Sequence, residues 1–73
     1  MTSQPDPDAT IGRRIRALRS AAGLSQLALA ERAGVSRATI SGLERDSRLH
    51  GITLATVEKI AAALDVHRAA ILG

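Results

Sequence analysis

The stretch that most restricts what this chain can become is Gln26–Arg45, QLALAERAGVSRATISGLER. Its apolar residues Leu29, Ala33, Val35, Ile40 and Leu43 recur at helical spacing in two short runs, with A-G-V-S between them. Two helices this close in sequence must cross within a few residues, and the small side chains make such a crossing possible. Ala30 permits close approach of the second helix, Gly34 can take the positive φ that a tight turn demands, and Ser36 is placed to cap the helix after the turn. Ser25 caps the first of the two, which is expected to end near Ala33; the second runs from Ser36 to Arg45 or Asp46.

The rest of the chain either supports this unit or leads away from it. Residues 1–9, MTSQPDPDA, contain two prolines, two aspartates and almost nothing to bury, so they read as a disordered lead-in before a domain spanning 10–73. From Thr10 the pattern turns helical: Ile11, Ile15, Leu18 and Ala22 form a stripe, Arg13, Arg14 and Arg16 face mostly elsewhere, and Gly23 supplies the stop, giving a first helix over about 10–22. The segment SRLHGI, 47–52, reads as a loop. Thr53 then caps a fourth helix with apolar positions Leu54, Val57, Ile60, Ala61 and Leu64. Asp65 falls where that helix should end, a position that often requires left-handed backbone. A last short helix covers about His67 to Leu72. The expectation is a five-helix, all-α domain.

Composition narrows the function. The chain has no cysteine, which removes disulfides and thiolate metal sites, and no Phe, Tyr or Trp, which removes the stacking platforms used for single strands and RNA loops. Double-stranded DNA is the better fit among nucleic acids. Between Ile11 and Arg48 eight arginines stand against three carboxylates, a net charge of +5, which fits a solvated basic face and an anion-binding surface equally well. No apolar run reaches the length of a membrane span and no signal-peptide core is present, so a cytoplasmic location is expected. His50 and His67 are separated by a helix and lack a metal-ligand spacing, and no nucleophile sits beside a recognisable base. Neither a metal, a cofactor nor an enzymatic activity is expected.

Four motifs in order, R-x-L-R-x-x-x-G-L-S-Q in Arg16–Gln26, L-A-x-x-A-G-V-S in Leu29–Ser36, I-S-x-L-E-R in Ile40–Arg45 and L-x-x-V-x-K-I-A-x-A-L in Leu54–Leu64, resemble the Cro/XRE-type, lambda-repressor-like helix-turn-helix family. The resemblance covers about residues 10–72. It implies a third helix lying in the major groove of DNA and a dimer on a two-fold-related operator. The stretch I-S-G-L-E-R-D-S-R particularly resembles the controller proteins of restriction-modification systems.

The residues themselves agree. With Ile40 and Leu43 inward, Arg37, Ala38, Ser41 and Arg45 lie on the outward side of the third helix. Arg37, in its first turn, is the expected base reader, with Ala38, Thr39 and Ser41 as weaker candidates. Gly42 is unusual inside a helix, and close approach of the backbone to DNA would account for it. Gln26, Arg14, Arg45 and Arg48 are expected phosphate ligands. By resemblance, Gln26 clamps the sugar-phosphate backbone and braces Arg37, while Arg19 pairs with Glu44 to tie the first helix to the third. Dimer contacts are expected from Val66, Ile71 and Leu72. The pattern departs from the family at Leu27 and Ala28, where acidic or polar residues are usual, and at Asp46 and the longer loop after it. The competing reading is an antitoxin-like module that binds a partner protein through Leu27, Ile71 and Leu72 and regulates itself by binding DNA.

Overall fold

The computed structural model describes residues 11–45 and 53–73, and within them five helices follow in order: α1 (Ile11–Ala21), α2 (Gln26–Ala33), α3 (Arg37–Arg45), α4 (Leu54–Ala63) and α5 (Ala69–Leu72). No strand occurs among the described residues. The lead-in 1–9, Thr10, and the 46–52 segment with Asp46, Arg48 and His50 lie outside them.

Helix boundaries follow from local chemistry. The Ser25 side chain accepts from the Ala28 amide at 3.0 Å, Ser36 Oγ accepts from the Thr39 amide at 3.0 Å, and Thr53 Oγ1 accepts from the Thr56 amide at 3.2 Å. Each satisfies one of the amides that a helix start leaves without an internal partner. The C-terminal ends of α1, α2 and α4 share one device. Gly23, Gly34 and Asp65 take left-handed φ values of 70°, 70° and 57°. The residue after each, Leu24, Val35 and Val66, donates its amide back to the carbonyl of Arg19, Ala30 and Ala61 respectively, each at 3.0 Å. This is the Schellman arrangement, and all three returning residues pack against the core. Asp65 therefore carries the left-handed backbone expected of its position.

The core is aliphatic. Ile15, Leu29, Ile40, Val57, Ile60 and Ile71 are fully buried, with Ala30, Ala33, Leu43, Ala61 and Leu64 around them. In it α2 packs on α3 and α4, α1 packs on α3 and α5, and α5 also touches α4. Three expectations need correction. Ala22 lies in the turn after α1 and is exposed. Leu54 opens α4 and is 52% exposed, because the first residue of the helix lies beyond the reach of the core. Ile71 is not on the surface at all; it is 0% exposed and plugs the space between α1 and α4, so it cannot meet a partner.

The crossing of α1 over α3 depends on a residue with no side chain. A Cβ on Gly12 would overlap the Leu43 carbonyl oxygen and press on the Glu44 Cα at 3.2 Å, backbone atoms that cannot swing aside. Gly42, by contrast, has open space around the position of its Cβ. The two glycines should respond to alanine with opposite signs. Gly12→Ala is expected to lower stability by about 2–3 kcal/mol through forced separation of α1 and α3, and Gly42→Ala to raise it by about 0.5–1 kcal/mol through helix propensity. Urea unfolding monitored by circular dichroism measures both; equal effects of the same sign would contradict the crossing described here.

Candidate nucleic-acid interface

At 3.6 residues per turn, Arg37, Ala38, Ser41 and Arg45 fall within a strip of roughly 100° on α3, facing away from Ile40 and Leu43. Arg37, Ala38 and Arg45 are exposed and Ser41 is half-buried, while Ile40 and Leu43 are in the core. Among the described residues neither Arg37 nor Arg45 has a hydrogen-bond or ion-pair partner. Thr39 is differently placed. Its hydroxyl lies 2.8 Å from Ser36 Oγ, which also accepts from its amide, so its side chain is engaged in the cap at the start of α3. That use competes with base reading.

Behind this strip sits a carboxylate that three donors share. Arg19 Nε donates to Glu44 Oε2 at 2.7 Å and Arg19 Nη2 to Glu44 Oε1 at 2.9 Å, a two-pronged pair whose side chains are only 15% and 5% exposed. The remaining Arg19 nitrogen, Nη1, donates to the Leu24 carbonyl at 2.8 Å. Gln26 Nε2 donates to Glu44 Oε1 at 3.2 Å. Burial pushes the Glu44 carboxyl up, but the hydrogen bonds from Arg19 and Gln26 and the charges of Arg19 and Arg16 more than offset it and hold it below the ordinary glutamate value. The bond with Glu44 correspondingly raises Arg19, against a smaller opposing effect of burial. The carboxamide nitrogen of Gln26 thus braces Glu44, at the far end of α3, where the resemblance pointed to Arg37.

The other expected site residues are scattered. Arg14 Nη1 donates to the Ile71 carbonyl at 3.2 Å, and its guanidinium lies against Gly73, so its side chain closes the end of α5. Its guanidinium is thus turned toward α5. Arg48 is outside the described residues. Val66 is half-buried and lines a shallow cleft of about 250 Å³ beside α4 with Ala61, Ala62 and Arg68; Leu72 is 40% exposed. Two further residues shape the site without standing out in the apolar pattern. Gly12 lies three and seven residues before Ile15 and Arg19, on the face that meets α3. His67 Nδ1 accepts from the Ala69 amide at 3.0 Å and so supports the start of α5. Among the described residues no group of His, Asp or Glu is arranged to hold a metal ion, and no helix is long and apolar enough to cross a membrane.

The helix-turn-helix family matches this chain over residues 15–71. The chain belongs to the Cro/XRE-type helix-turn-helix family. It is 41% identical over 64 residues to the immunity repressor protein of Bacillus phage phi105, a match covering 88% of this chain and 43% of that protein, so the chain spans less than half the length of the phage repressor. Among solved structures it resembles the restriction-modification controller protein C.AhdI from Aeromonas hydrophila, at 39% identity and a TM-score of 0.77 over 84% of this chain and 89% of that one. It also resembles SinR, the master regulator for biofilm formation, solved in complex with DNA, at 36% identity and a TM-score of 0.81 over 88% of this chain and all of that one. SinR is known in complex with the SinI protein as well. The five-helix arrangement is the lambda-repressor-like fold of these relatives.

The buried pair sets an expectation for acid stability. Glu44 is held ionised below its unfolded value, so its contribution is fully present above about pH 4.5, the ordinary glutamate range, and is lost as pH falls through the lower folded value. Glu44→Ala, which strands Arg19 in a largely buried setting, should cost about 2–3 kcal/mol at neutral pH. The gap between wild type and variant should narrow as the pH drops below about 4.5. Denaturant titrations across that range check both; a gap independent of pH would remove the ionised carboxylate from the account.

Proposed function

We propose that this protein is a DNA-binding transcriptional regulator that acts as a homodimer on a two-fold-related operator, with α3 in the major groove. The observation that carries the reading is the outward strip of α3. Two exposed arginines, Arg37 and Arg45, stand on it without partners among the described residues, flanking the small residues Ala38 and Ser41, on a helix anchored from behind by Arg19 and Glu44. Kinship with a phage repressor, and the complex of SinR with DNA, support it.

In this reading Arg37, at the start of α3, pairs with the O6 and N7 acceptors of a guanine, discriminating by roughly 1–3 kcal/mol against other bases. Ala38 meets a thymine methyl or nothing. Arg45 at the other end of the strip contacts phosphate, as does Gln26, through the amides at the start of α2 now that its carboxamide nitrogen is turned to Glu44. Val66 and Leu72 supply the dimer contact, with the shallow cleft beside α4 between the two copies. Half-sites then lie on one face of the duplex, about one helical turn or a multiple of it apart. The exposed Leu27, at 51%, and the SinR–SinI complex favour a second reading in which a partner protein covers α2 and controls DNA binding.

Arg37→Ala should relax preference at one base step, lowering affinity for the selected site by roughly 1–3 kcal/mol with little change on random duplex. Selection of sites from random DNA followed by fluorescence anisotropy measures this, and equal loss on both duplexes would remove Arg37 as a base reader. Leu72→Glu should shift the protein from dimer to monomer in sedimentation velocity without unfolding it, since Leu72 is on the surface. A wild-type monomer at micromolar concentration both with and without operator would overturn the dimer.

A further inference from the structure

A cleft of about 360 Å³ opens between α1 and α3, lined by Arg16, Arg19, Gln26, Ser41, Glu44 and Arg45. We infer that it seats one phosphodiester of the DNA backbone and that Arg16, which has no part in the interface described above, is the residue on α1 that holds it. The inference rests on the reading that the chain binds duplex DNA.

Among the described residues Glu44 is the only carboxylate lining the cleft, and both of its oxygens are taken: Oε2 by Arg19 Nε, Oε1 by Arg19 Nη2 and Gln26 Nε2. Arg19 puts three of its five N–H donors into the fold, and its charge is balanced by Glu44. These two side chains balance each other's charge and form a neutral wall. What remains is Arg16 and Arg45, two guanidinium groups lining the same cleft with no hydrogen bond or ion pair among the described residues. Two like charges in one cleft repel, and an anion between them converts that repulsion into attraction. A phosphodiester suits the site because its paired oxygens match the planar guanidinium fork. The Ser41 hydroxyl lines the same space and adds a donor, which moves Ser41 from the base-reading residues to the backbone-contacting ones. Arg16 itself is exposed and acts on Glu44 only through its charge, so its removal leaves the fold's hydrogen bonds untouched.

The test compares Arg16→Gln with Lys59→Gln, a charge removal on α4 outside the cleft, by fluorescence anisotropy on selected and random duplexes between about 50 and 200 mM salt. For Arg16→Gln the expected result is equal fold-loss of affinity on both duplexes and a plot of log affinity against log salt shallower by about 0.9. Its thermal unfolding should match wild type, and Lys59→Gln should keep the wild-type slope. An unchanged slope for Arg16→Gln, the same reduction for Lys59→Gln, or a loss confined to the selected duplex would overturn the phosphate seat while leaving DNA binding intact. Wild-type protein that binds neither duplex would overturn the DNA reading itself and the seat with it.

Discussion

Everything presented on α3 depends on the Glu44 carboxylate. It is the point at which α1, through Arg19, and α2, through Gln26, are fastened to α3, and Arg19 extends the fastening to the turn after α1 through the Leu24 carbonyl. Buried ion pairs are weak sources of net stability, because the desolvation cost of each charge nearly cancels their attraction. Their geometric demand is another matter. A two-pronged guanidinium–carboxylate contact is satisfied at one mutual orientation, so it selects the rotation of α3 about its own axis as well as its position. An aliphatic contact of similar area would leave that rotation freer, and the outward strip from Arg37 to Arg45 would be correspondingly blurred.

The same orientation is enforced by space on the other side of the crossing. Gly12 brings the α1 backbone against the Leu43 carbonyl, one residue before Glu44, so that contact and ion pair fix the same turn of α3 by different physics. The three Schellman turns perform the matching task along the chain. Each reverses direction within two residues and returns an apolar side chain, Leu24, Val35 or Val66, to the core. The tight connection between α2 and α3 is thus one case of a device used wherever the chain must turn sharply without the help of a long loop.

What could be read from the sequence divides along the range of the forces involved. Ser25, Ser36 and Thr53 fix helix starts by bonds three residues long, and α2 and α3 begin where these caps place them. Asp65 was legible for the same reason, and the five-helix fold came from long stripes such as Val57, Ile60, Ala61 and Leu64. Four residues are too few to define a stripe, so α5 gave no way to tell that Ile71 turns inward while Leu72 turns out. Long arginine and glutamine side chains reach partners that spacing does not specify. Arg14 goes to a carbonyl 57 residues away and Gln26 to Glu44 18 residues away, and neither partner is written in the local pattern. The signal at Gly12 was present, a glycine aligned with Ile15 and Arg19, but only the identity of the backbone it meets explains it.

The arginines show why residue type alone does not locate the interface. Arg19 is neutralised by Glu44, Arg14 is spent on the end of α5, and Arg68 pairs with Glu58 at 2.6 Å on the surface. The first two answer a requirement of the fold, and the third is an exposed surface pair. Arg16, Arg37 and Arg45 answer none among the described residues, and they project from α1 and α3, the two helices that the Glu44 junction locks together. A nine-residue helix is marginal on its own in water, so α3 cannot keep this arrangement as an isolated segment. The spacing of the uncommitted charges is therefore a property of the core, and a change at Gly12 or Glu44, neither of which faces outward, should disturb that spacing as surely as a change at Arg37.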